Sequence, residues 1–502
     1  MAISPLAGGQ RLLLLIGLLL AWPLAMNGGP IFFSDTTSYV RAADAVAYRA
    51  TGHATIWSDV ISSAEKGAAA RAGAASGAGA GLAVPGASVE QQSSSFEKNI
   101  ILGRSIFYGG LLYCGVLLGG LALSAGVQAL LAGVAIIGGI RHFADPAREP
   151  IRFRALVLAA MAIAAGATSL PYFASFLMPD VFAGLAIWAA AMVLTGWARE
   201  SFGWRLFWAA LLCFAALAHA LHMLLLVALG GVGCGLRLLR GRSAPLAPIA
   251  LLFGAAAVGL AGDAAFQLGI GALAHRETVR PPFLAMRVIA DGPGAAYLRE
   301  DCARTDFALC AFRGAPSSNS DVLLWSADPR LGMFTSASAA DQRRIAREQM
   351  GFVAAVVWRY PGWTMAAMLG NFARQLRLLG LREFSTPVLA DPEVAARMPP
   401  PVRMMIARSP AERGALPTVL YRWLVWPVTL LAIGITLIAV RREGWRIGGP
   451  ALVMGMGIVL NAAICGMLSV PADRYQDRVA WLVVLFAVLA WRNPAPKSGF
   501  RR

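Results

Sequence analysis

Asp35 and Asp180 are the residues of this chain best suited to chemistry. Asp35 stands in Ser34-Asp35-Thr36-Thr37-Ser38-Tyr39, just past the first apolar segment, and Asp180 in Met178-Pro179-Asp180 at the head of a later one. An ionisable group beside hydrocarbon is costly and, by default, functional. A carboxylate there can act as a general base toward a hydroxyl. It can also hold a hard divalent cation, Mg²⁺ or Mn²⁺, through oxygen ligands, although two acids alone do not establish a metal. Each acid has a plainer reading as well. Ser34 or Asp35 could cap the helix that follows, and Asp180, after Pro179, is well placed at a helix start, where the dipole favours an anion. The pair is more telling than either member, because both map to one face of the bilayer in the topology below.

Arg474, Tyr475 and Arg478, in Asp473-Arg474-Tyr475-Gln476-Asp477-Arg478, form the third feature. Arginines at the mouth of a late span can bind a lipid-borne phosphate through charge-assisted hydrogen bonds. Interfacial anchoring and snorkelling explain them equally well. Arg104 is a weaker candidate of the same kind, and Tyr39 lies one helical turn beyond Asp35. His219 and His222 share a helical face, but no further ligands accompany them, so a packing or hydrogen-bonding role is the better reading. Asp263 lies toward the outer end of its apolar segment and is not assigned. The run Gly230-Gly231-Val232-Gly233 lacks the strand, the loop and the lysine of a phosphate loop and reads as helix packing.

These side chains must be positioned by membrane helices. The 502 residues are 58% hydrophobic and 14% charged, with a mean hydropathy of +0.62, which excludes a soluble protein. The formal charge of +17 comes almost wholly from arginine, since Lys66, Lys98 and Lys497 are the only lysines. Abundant Ala and Gly suit a GC-rich bacterial genome. No basic stripe interleaved with aromatics points to nucleic acid. Cys114, Cys213, Cys234 and Cys465 fall in apolar segments as packing residues. Cys302 and Cys310 stand in a polar one, where a disulfide and hence an oxidising compartment are expected.

Apolar runs at 11–26, 123–140, 155–170, 181–195, 206–217, 219–234, 246–268, 419–440, 451–468 and 478–491 predict an all-α polytopic protein with about ten transmembrane helices. The first run is read as a retained helix rather than a cleaved signal. Arginines cluster at Arg141, Arg148, Arg152 and Arg154; at Arg199 and Arg205; at Arg237, Arg240 and Arg242; and at Arg441, Arg442 and Arg446. With the N-terminus inside, all four clusters become cytoplasmic, as does the tail with Arg492, Lys497, Arg501 and Arg502. This requires residues 106–121 to lie at, or dip into, the outer face without crossing.

Three stretches then face outward: the loop 27–104, the region 271–418 and the connection 470–478. Within the first, residues 65–95 are rich in Ala, Gly and Ser and read as a flexible insertion. The organisation expected is an N-terminal membrane module (1–270), a small periplasmic and interfacial region (271–418), and C-terminal membrane helices with a cytoplasmic tail (419–502). In the middle region a helix over 341–360 should end at Pro361. An amphipathic pattern over 363–381, with Met365, Met368, Leu369, Phe372 and Leu376 opposite Arg374 and Arg377, suits a surface-lying helix.

The order of these parts resembles the GT-C class of membrane glycosyltransferases. The matching pieces are Ser34-Asp35-Thr36-Thr37-Ser38-Tyr39, Gly103-Arg104-Ser105-Ile106-Phe107-Tyr108-Gly109, the arginine turn after Ile140, and Leu170-Pro171-Tyr172-Phe173 with Met178-Pro179-Asp180. The resemblance covers roughly the first 240 residues and is architectural. The chain also looks like a bacterial membrane-protein group bearing the Met-Pro-Asp and Asp-Arg-Tyr-Gln-Asp-Arg signatures. The resemblance implies Asp35 as the catalytic acid of the first loop and Asp180 as the family's second acid. It implies a polyprenyl-phosphate sugar donor, membrane lipid as surroundings, and an acceptor on the periplasmic side of the bacterial inner membrane. The 65–95 insertion and the single clear acid of the first loop depart from the family pattern. A lipid or polysaccharide transporter or flippase is the alternative, but neither an internal repeat nor a mid-bilayer acid supports it. A non-catalytic envelope assembly protein is the third reading.

Overall fold

The structure is a computed structural model that describes residues 15–59, 99–240, 245–274, 277–314 and 318–491. The start of the first apolar run, the 65–95 insertion, Arg242 and the tail with Arg492, Lys497, Arg501 and Arg502 lie outside the described residues.

Helices α1 (Trp22–Asn27), α2 (Ser34–Thr51), α3 (Ile106–Leu118), α4 (Leu121–Ile140), α5 (Pro150–Ala167) and α6 (Leu170–Ser175) come first. Then follow α7 (Val181–Gly196), α8 (Phe202–Ala218), α9 (Ala220–Arg240) and α10 (Ala247–Ala274). The middle region adds α11 (Phe283–Ala290), α12 (Pro293–Glu300), α13 (Ser320–Trp325), α14 (Ala339–Arg359), α15 (Pro361–Arg377), α16 (Pro392–Ala396) and α17 (Pro400–Arg408). Three long helices close the chain: α18 (Val419–Glu443), α19 (Trp445–Leu468) and α20 (Asp473–Trp491). Strand is nearly absent among the described residues. One short parallel pair joins β1 (Ile100–Ile101) to β2 (Thr278–Val279) and so ties the first loop to the middle region.

Among the described residues, seven helices are long and apolar enough to cross a membrane: α4, α5, α7 continued to Arg199, α9, α10, α18 and α19. This is a multi-pass, all-α membrane protein. The remaining apolar runs differ for identifiable reasons. The run 11–26 is described only from residue 15. Helix α8 has 17 residues, about 25 Å at 1.5 Å per residue against a hydrocarbon core of about 30 Å. Helix α20 carries Asp473, Arg474, Asp477 and Arg478 in its first turns. Helix α3 has 13 residues, about 20 Å, and ends at Gly119 and Gly120, both at positive φ. The break between α8 and α9 falls on His219, whose backbone is extended.

Helix α7 is the axis of the bundle: every residue from Val181 to Val193 is buried, and it packs on α4, α8, α19 and α20. Two glycines permit close backbone approaches between helices. A Cβ on Gly184 would come within 2.6 Å of the Arg478 carbonyl oxygen, and one on Gly109 within 2.5 Å of the Tyr39 carbonyl oxygen. Backbone atoms cannot swing aside as a side chain does. Gly184→Ala is therefore expected to push α7 and α20 apart and cost about 1–3 kcal/mol, the usual range for overpacking. Thermal unfolding in detergent measures it.

The middle region divides its buried residues between two cores. Residues from Val279 to Val356, including Met286, Leu298, Phe334 and Phe352, form a core of their own. Leu381, Phe384, Val388, Val402 and Leu416 instead join the membrane-helix core. Cys302 and Cys310 are disulfide-bonded, with Cα atoms 5.6 Å apart, beside the first of these cores. Helix α14 is capped by Ser338 and gives way at Tyr360 to α15, which opens on Pro361. Helix α15 packs on α19, burying Thr364 and Gln375 and leaving Trp363, Met365, Leu369 and Leu376 exposed.

Candidate functional site

The two acid-bearing segments lie side by side. Ile31 pairs with Phe176 in a parallel bridge: the Ile31 N–H donates to the Ser175 carbonyl at 2.9 Å and the Leu177 N–H to the Ile31 carbonyl at 3.0 Å. The Thr36 hydroxyl adds a bond to the Leu177 carbonyl at 3.0 Å. Asp35 and Asp180 each stand four residues beyond their member of this bridge. Equal offsets along parallel segments carry both acids to the same end of the bundle. Gln128 secures the arrangement by donating to the Ala174 and Phe176 carbonyls, while its own oxygen accepts from the Tyr108 hydroxyl.

Each acid meets an arginine. Asp35, in the first turn of α2, pairs with Arg104 at 2.5 Å, both partly exposed. Asp180 pairs with Arg478 at 3.1 Å, with side-chain exposures of only 4% and 2%, so water screens this pair little. Asp180 is the N-cap of α7, yet its side chain makes no capping hydrogen bond. The carboxylate is spent on Arg478, which also donates to Asn461 Oδ1 at 3.2 and 2.9 Å and to Cys465 Sγ at 3.1 Å.

The third arginine is Arg474. Its Nε lies 3.1 Å from Glu383 Oε2, its Nη2 donates to the Tyr475 hydroxyl at 3.0 Å, and its guanidinium lies 4.2 Å from the centre of the Phe33 ring. The Tyr475 ring stacks against both Arg474 and Arg478. Tyr39 is buried, edge-on to Tyr108 at 5.0 Å. Burial raises its hydroxyl pKa, and the charges of Arg104, Asp35, Asp180 and Arg474 all act on it. Arg474 in turn feels both Asp180 and Asp35. Sequence-predicted Asp35, Asp180, Tyr39, Arg104, Arg474, Tyr475 and Arg478 thus form one cluster.

The Asp-Arg-Tyr-Gln-Asp-Arg stretch divides its labour by helical spacing. Residues four apart share a face, so Asp473 and Asp477 point one way and Arg474 and Arg478 another. Asp477 accepts the Gly380 and Leu381 N–H groups at 2.7 and 2.9 Å and the Tyr421 hydroxyl at 3.0 Å. Asp473 accepts the Arg382 N–H at 2.7 Å. These bonds clamp the turn that carries Glu383. Leu381 within it has φ 55°, the sole non-glycine at positive φ among the described residues. The clamp holds a conformation that L-residues otherwise avoid.

Sequence reasoning missed Glu383, because nothing in its neighbourhood signals a site, and it missed Asn461. His219 and His222 lie beside the cluster, and His222 Nδ1 is 3.0 Å from the Ala215 carbonyl oxygen. The charges of Arg478, Arg104 and Arg474 act on His219, and those of Arg478 and Asp180 on His222. The rings are 5.2 Å apart; His222 is fully buried, with Nε2 lacking a hydrogen-bond partner. Asp263 pairs with Arg280 instead. Among the described residues no group of three or more His, Cys, Asp or Glu is arranged to hold a metal ion, and Asp180 faces a guanidinium.

No protein-family model, curated protein or solved structure matches this chain.

Proposed function

We propose that this protein is a GT-C-like glycosyltransferase of the bacterial inner membrane, with about ten spans and both termini in the cytoplasm. It moves a sugar from a polyprenyl-phosphate donor to an acceptor at the periplasmic face. The observation that carries this reading is the parallel Ile31–Phe176 bridge, which brings Asp35 and Asp180 to one end of the bundle among three arginines. The orientation is supported by α7, which has Asp180 at its head and Arg199 beyond its far end; positive charge marks the cytoplasmic side.

In the reaction the acceptor oxygen attacks the anomeric carbon as Asp35 takes its proton. The bond from that carbon to the phosphate oxygen breaks with inversion, and polyprenyl phosphate leaves with the electron pair. Arg474 meets the charge growing on the phosphate, a preorganised electrostatic role. Arg478 fixes Asp180 and the wall of the site.

Purified protein in lipid vesicles, supplied with radiolabelled polyprenyl-phosphate sugars and envelope acceptors, is expected to form a labelled covalent product and free polyprenyl phosphate. Arg474→Ala should lower the rate with the fold retained. Labelled lipid crossing the bilayer without any covalent product would replace this reading with that of a transporter.

A further inference from the structure

Arg474 is unusual among the three arginines in being under-used. It is 8% exposed, yet neither Nε nor Nη1 makes a hydrogen bond. Its contact with Glu383 is an ion pair without hydrogen-bond alignment. A guanidinium fork left half-empty in a buried site is matched to a planar or tetrahedral oxyanion. Arg104 and Arg478 already hold their own carboxylates, so the site is a set of three pairs in which one is loose.

We infer that Glu383 stands in for the ligand's phosphate on Arg474, and that the site accepts one singly charged phosphodiester in exchange for Glu383 rather than a diphosphate. This rests on the phosphate-donor reading above. The exchange balances charge: the incoming anion brings one negative charge, and Glu383 takes a proton from solvent and becomes neutral. A second negative charge would find no further uncommitted guanidinium among these three. Asp321, whose carboxylate senses Arg474, Asp35 and Arg104, adds further repulsion.

The surroundings of Glu383 suit such an exchange. Burial pushes its carboxyl up to about 7; Arg474 opposes this, and Asp473, Asp180 and Asp321 reinforce it. These charged groups come from α20, the head of α7 and α13, and Arg382 is its neighbour in the clamped turn. The sign follows. The anion binds the form in which Glu383 is protonated, so affinity rises as pH falls through about 7 and weakens above it.

The test uses full-length protein in nanodiscs and calorimetric titration with dihexyl phosphate and P1,P2-dihexyl diphosphate, whose charges are constant across the range. Wild type should bind dihexyl phosphate about tenfold more weakly per pH unit above 7, as expected for uptake of one proton. Glu383→Gln should bind tightly and without pH dependence, whereas Glu383→Asp should keep the slope. The diphosphate should bind wild type several-fold more weakly than the monophosphate diester. The same slope in wild type and Glu383→Gln, or a flat wild-type profile, would overturn the exchange and leave the phosphate site standing. A tighter diphosphate would overturn the single-charge preference. No binding of either compound at any pH would remove the phosphate reading and this inference with it.

Discussion

Asp35→Asn is expected to reduce sugar transfer by at least about 100-fold, the lower end of what a positioned general base contributes. Asparagine keeps the size of the side chain and an acceptor oxygen toward Arg104, but it cannot take a proton from an attacking hydroxyl. The fold should survive, because asparagine still offers Arg104 an acceptor and the Asp35–Arg104 pair is partly exposed, so its loss costs less than that of a fully enclosed pair. Initial rates and thermal unfolding, measured on the same preparations, separate the two effects. Transfer at the wild-type rate would show that another group is the base, and His219, which feels the charges of the three arginines, would be tried next.

Arg478→Ala is expected to cost about 3–5 kcal/mol in stability, the range for removing one partner of a buried ion pair. The loss arises because Asp180, almost wholly enclosed, keeps a charge with no counter-ion. Asn461 and Cys465 lose their bonds to Arg478 as well. Pairing Arg478→Gln with Asp180→Asn should recover a substantial part of this, since neither charge then remains buried alone; a double-mutant cycle reads the coupling. Denaturation in detergent is the measurement. A change below about 1 kcal/mol for Arg478→Ala, the range of solvent-exposed pairs, would mean that water reaches the pair, contrary to the packing of α7 on α20 through Gly184. Lost activity in this variant is not diagnostic of catalysis, which is why Arg474→Ala, lining the site without locking two helices, is the better probe of phosphate handling.

Much of the helical scaffold was legible because hydrophobic periodicity and arginine clusters are written locally. The helix opening at Val181 and the break at Pro361 come directly from such signals. The acids were legible because charge beside hydrocarbon is rare. Their shared face was expected from the topology; the contact that brings their segments side by side was not, since a bridge between residues 145 positions apart, Ile31 and Phe176, makes no local pattern. The caps illustrate the same limit. Position alone made Asp180 a helix cap, but a buried arginine nearly 300 residues away outcompeted the backbone N–H groups for its carboxylate. Glu383 was invisible because its turn is shaped by Asp473 and Asp477 from the far end of the chain. The motif containing those two acids was noticed for its arginines, and the division of its two faces appears only once the turn is seated on it.

Photo-crosslinking tests the central claim most directly. A polyprenyl-phosphate sugar analogue with a diazirine beside the phosphate would be irradiated with the protein in bilayers, and the attached residues mapped by mass spectrometry. Labels should fall together on the Ile31–Tyr39 stretch, the Phe176–Asp180 stretch and the start of α20, and excess unlabelled donor should suppress them. Adducts confined to the lipid-facing sides of α10 or α18, unaffected by competitor, would contradict a shared site for Asp35 and Asp180.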